Sequence, residues 1–301
     1  MQATAPPHDL PRLPRRDAAA SKRDYGRVAV AGGAAGMAGA PALAAMAALR
    51  SGAGLVELLV PETVAAIAAV FDPCLMTHGL PAAAGSFAAA AADPLATRLA
   101  TATAGVVGPG IGRSAEVREL VRRLWREVPG PAVFDADALW ALSPADRGRL
   151  REHAGPRVLT PHAGELARLV GRDAATVVAA DRPALEEAAG ALADALDAVV
   201  VFKGAGTLVA APGRRARNET GNPGMATAGT GDVLAGVIAA LLAQGLTPFD
   251  AARLGAWVHG RAGDAAATDL GAVSMTARDL LDRLHVGFRA AAAPETARPD
   301  G

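Results

Sequence analysis

Cysteine is almost absent from this sequence, since Cys74 is the only one in 301 residues. A single cysteine excludes an intramolecular disulfide and any zinc site built from several cysteines, and it suits a reducing compartment such as the cytoplasm. Long apolar runs are also missing, because no stretch of about 18 residues lacks charged and turn residues, and we expect no membrane-spanning helix. The formal net charge is +0, which argues against nucleic acid or an anionic membrane as a partner.

Lysine and aromatic residues are scarce as well. Aromatic residues make up 3% of the chain, and Lys22 and Lys203 are the only lysines among 30 basic residues. The other basic residues are arginines, and this usage, together with the abundant alanine, is typical of a biased genomic base composition. We therefore expect most arginines to lie on the solvated surface. Lys203 is unusual within this chain and is a candidate for a specific role.

The composition predicts one domain with two flanking segments. Hydrophobic residues make up 51% of the chain, and no composition break divides residues 25–292, which we predict to form a single domain. Residues 1–24 carry four prolines and five basic residues without an apolar segment, which indicates a disordered leader and not a signal peptide. We expect 293–301 to be a flexible tail and the alanine-rich stretch 82–92 to be a loosely specified helix or loop.

Short apolar strands alternate with helical stretches along the domain. Strands that are apolar throughout and separated by helices indicate an α/β fold with a mostly parallel sheet covered on both faces. Each polar or glycine-rich cluster follows a strand or precedes a helix, which is where such sheets bind ligands. The predicted strands are 28–30, 55–60, 105–107, 132–134, 157–160 and 198–202, with 207–211 as the return strand of a hairpin, and the predicted helices include 41–52, 232–244, 248–268 and 276–292.

The most informative segment is GNPGMATAGTGD, Gly221 to Asp232, which leads into an apolar helix that begins near Asp232. A glycine-rich turn at a helix start presents free N–H groups and the positive end of the helix dipole to an anion such as phosphate. An acid in such a turn is electrostatically unfavourable unless it has a task, and one task is to take a proton from a hydroxyl that attacks phosphorus. The alternative is that Asp232 only caps the helix.

Carboxylates and a histidine follow two other predicted strands. Asp135 and Asp137 lie in VFDADAL, where they can hold Mg²⁺ beside a phosphate site, or else one caps the next helix and the other lies on the surface. His162 and Glu165 lie in LTPHAGE after the next strand. His162 can bind a substrate or a phosphate, and Glu165 can reach Mg²⁺ through water or simply favour the first helical turn. For these residues the functional and structural interpretations stay open.

Two further loops have the composition of ligand-binding loops. Lys203 opens the loop KGAGT (203–207), where its ammonium suits phosphate oxygens or a ribose, unless it only extends into solvent. GPGIG (108–112) can let a ligand approach the backbone closely. Neither GxxxxGK[ST] nor GxGxxG occurs, which excludes a P-loop and the dinucleotide fingerprint of dehydrogenases. His259, on an apolar helix, is expected to be a core or interface histidine with satisfied hydrogen bonds.

Six segments in order resemble one family: AGGAAGMAGAPALAA, GPGIG, DADAL, LTPHAGELARL, KGAGT and NPGMATAGTGDVLAGVIAALLAQG. Over about residues 25–290 the chain resembles the ADP-dependent NAD(P)H-hydrate dehydratases of the ribokinase-like superfamily. The resemblance implies a three-layer α/β/α sandwich with a mostly parallel central sheet. It also implies the dehydration of the S-form of hydrated NADH or NADPH (NADHX, NADPHX), in which ADP phosphorylates the hydroxyl and the products are NAD(P)H, AMP and phosphate, with Mg²⁺ as cofactor.

The resemblance also implies roles for individual residues. Asp232 would be the base on the hydrate hydroxyl, and Glu165 and Asn222 would help to place Mg²⁺, in part through water. The other implied site residues are Ala40, Gly110, Gly112 and His162 for the hydrated dinucleotide, Lys203, Gly204, Ala205, Gly206, Thr207 and Gly231 for ADP, and Gly229, Thr230 and Gly231 for an anion hole.

One position departs from the family's pattern. Members often carry two glycines before the TGD or MGD step, where this chain has Ala228 and Gly229. If residue 228 needs a positive φ, alanine there costs about 1 kcal/mol. The family further implies a homotetramer and a functional partnership with an NAD(P)H-hydrate epimerase, expected as a separate protein because the chain is too short to include that domain.

The main alternative function is that of a ribokinase-like kinase that uses ATP on the hydroxyl of a vitamin precursor or a sugar. The DADAL and TPHAGE segments weigh against a sugar kinase, whose acceptor site usually needs an added lid. A nucleotide-sensing protein without activity would require loss of the catalytic acid, whereas Asp232 is present.

Overall fold

The computed structural model describes residues 6–144, 146–173, 175 and 182–292. The strands in chain order are β1 (Arg27–Ala31), β2 (Leu55–Pro61), β3 (Met76–Leu80), β4 (Ala82–Ala83), β5 (Ser86–Phe87), β6 (Ala104–Val107), β7 (Ala132–Phe134), β8 (Arg157–Leu159), β9 (Val199–Phe202), β10 (Leu208–Ala211) and β11 (Arg214–Arg217).

Nine of these strands form one sheet in the order β11-β10-β9-β8-β7-β6-β1-β2-β3, and β4 and β5 form a separate short hairpin. Neighbouring strands of the large sheet are parallel, except that β10 is antiparallel to both β9 and β11. The sheet grows from β1 in two directions, first through β2 and β3 and then through β6 to β9. The point between β1 and β6 is a topological switch, where a sheet of this class opens a crevice at the carboxyl ends of its strands.

Helices cover both faces of the sheet. They are α1 (Gly39–Arg50), α2 (Glu62–Ala69), α3 (Ala92–Thr101), α4 (Ala115–Glu127), α5 (Asp137–Leu142), α6 (Arg147–Arg151), α7 (Ala163–Leu169), α8 (Arg182–Leu196), α9 (Thr230–Ala243), α10 (Pro248–Leu270), α11 (Ala277–Asp282) and α12 (Leu284–Ala291).

Successive strand residues face opposite sides of the sheet and so belong to two separate cores. Val28 and Val30 of β1 pack in the core shared with α1, α9 and α10. Ala29 and Ala31 pack in the core shared with α3, α4 and α8. The predicted α/β/α sandwich with a mostly parallel sheet is therefore confirmed.

The strands predicted from apolar runs form within one residue of their predicted bounds. Two edge strands, β3 and β11, were not predicted, because MTHGL and RRAR lack a continuous apolar pattern. The stretch 82–92 contains the β4–β5 hairpin and a 3₁₀ turn. The prediction of a single helix over 276–292 is wrong, because Arg283, at φ −102 and ψ 5, separates α11 from α12.

Residues 6–24 belong to the segment predicted to be a disordered leader, and the structure describes their contacts with the domain. Residues 6–24 form neither helix nor strand, yet they lie against the domain because Leu10 covers apolar surface and is itself 8% exposed. Asp9 Oδ2 lies 2.7 Å from Arg253 Nη2, and Arg16 donates to the Gly52 carbonyl. The predicted tail, 293–301, lies outside the described residues. No helix in the described part of the chain is long and apolar enough to cross a membrane.

Candidate functional site

The candidate site lies at the carboxyl edge of the sheet, where the loops after β1 and β6 meet. The Gly33 N–H donates to the Pro109 carbonyl at 2.9 Å. Gly110 has φ 59, and a Cβ added there would lie 2.9 Å from the Met37 carbonyl oxygen and 3.3 Å from Ala40 Cβ. Only glycine permits this backbone conformation and this approach at little cost. The structure thus brings together Ala40 and Gly110, which were both predicted to contact the substrate.

The turn before α9 has the geometry of an anion site. Gly229, the residue before the helix, is left-handed with φ 90 and ψ −16. Thr230 opens the helix, and its hydroxyl donates to the carbonyls of Met225 and Thr227 at 2.9 and 3.0 Å. A hydrogen bond from the Val233 N–H to the Gly229 carbonyl begins the helical ladder. The N–H groups of the residues before Val233 have no acceptor within the helix and can bind an anion.

The same turn shows how Ala228 fits. The positive φ falls on Gly229, and Ala228 is not among the positive-φ residues of the described ranges. Alanine therefore occupies position 228 without the strain of a left-handed conformation. The helix starts at Thr230, two residues before the predicted start, so Asp232 lies in its first turn.

We expect Gly229→Ala to lower kcat for the phosphoryl transfer expected at this turn by about 10²-fold or more, because the added Cβ displaces the N–H groups of the turn. A Cβ at residue 229 would lie 2.7 Å from Leu43 Cδ1 and 3.0 Å from Ala277 Cβ. Gly245→Ala is the matched control, since Gly245 has φ 92 at the other end of α9 and an added Cβ there meets nothing within 4 Å. Steady-state kinetics of the two variants check this, and equal kcat values would contradict it.

A buried ion pair lies at the carboxyl ends of β7 and β9. Lys203 Nζ lies 2.8 Å from Asp135 Oδ1 and 3.9 Å from Glu165 Oε2. Asp135 is 1% exposed and also accepts a hydrogen bond from the Thr160 hydroxyl at 2.7 Å. Burial lowers the pKa of Lys203, but the two carboxylates outweigh burial and hold it above its usual value. Lys203 is therefore a fixed cation at the site and does not extend freely into solvent.

Asp232 faces this ion pair from the start of α9. A Cβ at Gly231 would lie 3.1 Å from Lys203 Nζ and 3.8 Å from Asp135 Oδ2, so the glycine turn and the ion pair are neighbours. Burial and the nearby carboxylates, Asp135 foremost, raise the pKa of Asp232 to about 7, although the Lys203 cation opposes this rise. A carboxyl group with a pKa near neutrality is suited to general base catalysis.

His162 and Glu165 cap the start of α7 reciprocally. His162 Nδ1 accepts from the N–H groups of Gly164 and Glu165 at 3.0 and 3.4 Å, and Glu165 Oε2 accepts from the His162 N–H at 2.9 Å. This capping box confirms the structural role considered for Glu165. It also fixes the imidazole, whose side chain is 57% exposed, at the edge of the site, while Glu165 stays beside Lys203.

Asp137 and Asn222 each have protein partners. Asp137 accepts from the Gly112 N–H at 3.1 Å and from Arg113 Nε at 2.6 Å, so it fixes the loop after β6 and does not simply face solvent. Asn222 Nδ2 donates to Asp264 Oδ1 at 3.2 Å. Among the residues that the structure describes, no group of three or more His, Cys, Asp or Glu could hold a metal ion. Glu165, one of the two residues predicted to place Mg²⁺, is therefore not part of such a group.

Two arginines that no sequence motif marks hold the KGAGT loop. Arg182 donates to the carbonyls of Lys203 and Gly206 at 3.3 and 2.9 Å, and Arg217 donates to the Gly206 carbonyl at 3.2 Å. Glu186 Oε1 joins them, at 3.0 Å from Arg182 and 2.9 Å from Arg217. The only sequence signal for these residues is that they flank the loop, on α8 and β11.

Known proteins are similar to this chain in both sequence and fold. The sequence model of the family described as NAD(P)H-hydrate dehydratase matches residues 28–285. The bifunctional NAD(P)H-hydrate repair enzyme Nnr of Moorella thermoacetica is 50% identical over 274 residues, which are 90% of this chain and 51% of that protein. The ADP-dependent (S)-NAD(P)H-hydrate dehydratase of Neisseria meningitidis serogroup B is 43% identical over 246 residues, which are 81% of this chain and 78% of that protein.

A solved structure gives the same result. The ADP/ATP-dependent NAD(P)H-hydrate dehydratase of Bacillus subtilis, co-crystallised with ATP and Mg²⁺, has a TM-score of 0.77 at 27% identity, covering 93% of this chain and 95% of that chain. The chain spans about half the length of the bifunctional relatives that it matches. The matched residues 28–285 include the whole candidate site, from Ala40 to Asp232. The resemblance seen in the sequence motifs is confirmed, and the chain belongs to the NAD(P)H-hydrate dehydratase family.

Proposed function

We propose that this chain catalyses the ADP-dependent dehydration of the S-form of hydrated NADH and NADPH (NADHX and NADPHX), with release of AMP and phosphate. The observation that carries the proposal is Asp232, a carboxyl group with a pKa raised to about 7 in the first turn of α9, beside Lys203 and the glycine turn. Family membership supports the substrate. The site supplies the base, the cation and the N–H donors that phosphorylation of a hydroxyl requires.

The reaction proceeds in two steps at this site. Asp232 takes the proton of the hydrate hydroxyl while the hydroxyl oxygen attacks the β-phosphorus of ADP and the bond to AMP breaks. The N–H groups of residues 229–231 stabilise the negative charge on the transferred phosphoryl group. Phosphate then leaves with the electron pair of its bond to the ring carbon, water takes a proton from the neighbouring ring carbon, and the C=C bond is restored. Phosphorylation makes the dehydration possible because it turns a poor leaving group into a good one.

The two ligands occupy different parts of the crevice in this proposal. ADP lies on the side of β9, against Lys203, Gly204, Ala205, Gly206, Thr207 and Gly231. The hydrated dinucleotide lies on the side of β1 and β6, against Ala40, Gly110, Gly112 and His162. Strands β7 and β8 separate β6 from β9, which places the two sides roughly 14 Å apart, at about 4.8 Å per strand. That separation leaves room for both ligands, with their reacting groups at Asp232.

Mg²⁺ is part of this proposal as an ion carried by the nucleotide. Burial raises the pKa of Glu165, which disfavours its charged form, and Asn222 is tied to Asp264. These residues fit an ion that keeps most of its waters and is held mainly by phosphates, with Glu165 and Asn222 acting through water. When bound, the ion would neutralise phosphate charge.

The test is an assay of the purified chain with NADHX, ADP and Mg²⁺. We expect absorbance at the reduced-nicotinamide band to rise with ADP and not without a nucleotide. A parallel reaction with ATP determines the nucleotide preference, and ATP consumption with a vitamin precursor or a sugar in place of NADHX tests the alternative of a ribokinase-like kinase. The proposal fails if no NADH forms above a control without enzyme while calorimetry shows that ADP binds.

We expect kcat/KM to depend on pH through Asp232. Because Asp232 accepts a proton only when ionised and its pKa is raised to about 7, kcat/KM should fall about tenfold for each pH unit below that value and level off above it. Asp232→Asn should lack this dependence. A pH–rate profile from about pH 5 to about pH 9 checks the prediction, and a profile that is flat on the acid side would contradict it.

A homotetramer, an NAD(P)H-hydrate epimerase as functional partner and a cytoplasmic location also belong to this proposal. Exposed apolar side chains support an assembly, since Ile67 is 57%, Val70 81% and Val273 100% exposed. The bifunctional relatives support a second repair activity that works with this one. The single cysteine supports a reducing compartment.

A further inference from the structure

Helix α10 packs against the glycine-rich segment 221–231 that leads into α9, which we call the anion turn. Asp264 accepts hydrogen bonds from the Gly221 N–H and from Asn222 Nδ2, both at 3.2 Å. One helical turn earlier, Gly260 packs so closely on Thr220 that an added Cβ would lie 2.1 Å from the threonine hydroxyl. His259, the neighbour of Gly260 in α10, contacts the last part of the turn at Thr230.

His259 is hydrogen-bonded to the first peptide of α9. Its Nε2 lies 2.8 Å from the carbonyl oxygen of Thr230, and the residue is 8% exposed. Because a carbonyl oxygen only accepts, Nε2 must carry the proton. Burial lowers the pKa of His259 to about 4, so the ring stays neutral and keeps this donor through the neutral pH range.

The Thr230 carbonyl belongs to the same peptide group as the Gly231 N–H. Among the described residues the only cis peptide bond is Ser143–Pro144, so the Thr230–Gly231 peptide is trans. In a planar trans peptide the C=O and N–H bonds point in opposite directions. A donor that fixes the Thr230 carbonyl from the side of α10 therefore directs the Gly231 N–H away from α10. Gly231 itself adjoins Lys203, because a Cβ there would lie 3.1 Å from Nζ.

From this geometry we infer that His259 is a positioning residue for the reaction: it orients and polarises the Thr230–Gly231 peptide, so that the Gly231 N–H is aimed at the phosphoryl group. A hydrogen bond on a carbonyl oxygen strengthens the N–H of the same peptide as a donor. This role rests on the proposed function, since it acts on the transferred phosphoryl group. It requires only a neutral donor at the position of Nε2, which glutamine can supply and methionine cannot.

The experiment compares His259→Met with His259→Gln. We expect His259→Met to lower kcat by about 10- to 100-fold, with KM for ADP and for NADHX within about threefold of wild type. We expect His259→Gln, which keeps an N–H donor, to retain kcat within about fivefold of wild type. The acid limb of the pH–rate profile should be unchanged in both variants, because it reports Asp232.

His153→Met is the matched control. His153 Nε2 also contacts a backbone carbonyl, that of Leu196 at 2.9 Å, and its ring packs on Trp125 with centroids 5.5 Å apart. Its loss should lower Tm, as the loss of His259 should, but leave kcat unchanged.

Equal kcat losses in His259→Met and His259→Gln, or a His259→Met variant with wild-type kcat, would overturn the inference. If His259→Met does not fold, a kcat loss of more than tenfold in a folded His259→Gln overturns it alone. A wild-type protein that forms no NADH would refute the proposed function itself, a result separate from any of these.

Discussion

We expect Asp232→Asn to lower kcat by about 10³-fold while ADP binds with nearly unchanged affinity. Asparagine has the shape of aspartate and keeps a side chain of the same size in the first turn of α9, but it cannot take the proton of the hydrate hydroxyl. The loss should therefore appear in kcat, measured by NADH formation, and not in the Kd for ADP, measured by calorimetry.

Asp250→Asn is the control for a purely structural effect. Asp250 is the third residue of α10, as Asp232 is of α9, and both are acids in a first helical turn. Asp250→Asn should keep kcat within about twofold of wild type. If Asp232→Asn loses no more turnover than Asp250→Asn, Asp232 serves the fold and is not the base.

Asp232→Asn should also be more stable than the wild-type protein at alkaline pH. Because the folded state raises the pKa of Asp232 from 3.8 to about 7, ionised Asp232 destabilises the fold. This destabilisation is absent when the pH is below 3.8, the ordinary pKa of aspartate, and is complete above about pH 7. We expect Asp232→Asn to gain about 1–2 kcal/mol at about pH 8, a value reduced because the side chain is partly exposed, and little at about pH 4. A gain that is equal at both pH values would show that the effect is not electrostatic.

We expect Lys203→Met to weaken ADP binding by about tenfold to a hundredfold and to destabilise the fold by about 2–4 kcal/mol. The lysine side chain is 20% exposed, and its partner Asp135 is 1% exposed. Removing the cation leaves a buried carboxylate without its counter-charge, and that is the origin of the stability loss. Calorimetry with ADP and thermal unfolding measure the two effects separately.

The double variant Lys203→Met/Asp135→Asn distinguishes the two roles of Lys203. Asparagine removes the unpaired charge and keeps an oxygen for the Thr160 hydroxyl, which donates to Asp135 at 2.7 Å. We expect most of the stability to return while ADP binding stays weak. Wild-type ADP affinity in the double variant would mean that Lys203 serves only the ion pair.

The convergence of the site residues could be predicted because parallel strands end at one edge of a sheet. Asp135, His162 and Lys203 each follow a short apolar run, and the structure places all three at the carboxyl ends of β7, β8 and β9. The sequence predicts that one residue of the turn before α9 is left-handed, but it does not show which one. Ala228 and Gly229 are adjacent, and only the backbone angles assign the left-handed conformation to Gly229.

The side chains that hold the backbone of the site in place could not be predicted from the sequence. Arg182, Arg217 and His259 act on backbone carbonyls, and such contacts leave no spacing in the sequence. The same holds for Arg157, which the composition suggests is solvated. It is 1% exposed and donates to the carbonyl of Trp125 in the last turn of α4 and to those of Val128 and Gly130, which follow the helix. A guanidinium with five donors suits a helix end, but nothing in the local pattern separates it from a surface arginine.

The most direct measurement follows NADH and phosphate together. The purified chain is mixed with ADP, Mg²⁺ and NADHX, and both products are quantified over the same time course. If Asp232 and the anion turn carry out phosphorylation followed by elimination, NADH and phosphate form in equal amounts, AMP accumulates with them, and Asp232→Asn forms neither product at an appreciable rate. Phosphate release without NADH, or NADH formation without consumption of ADP, would contradict this mechanism.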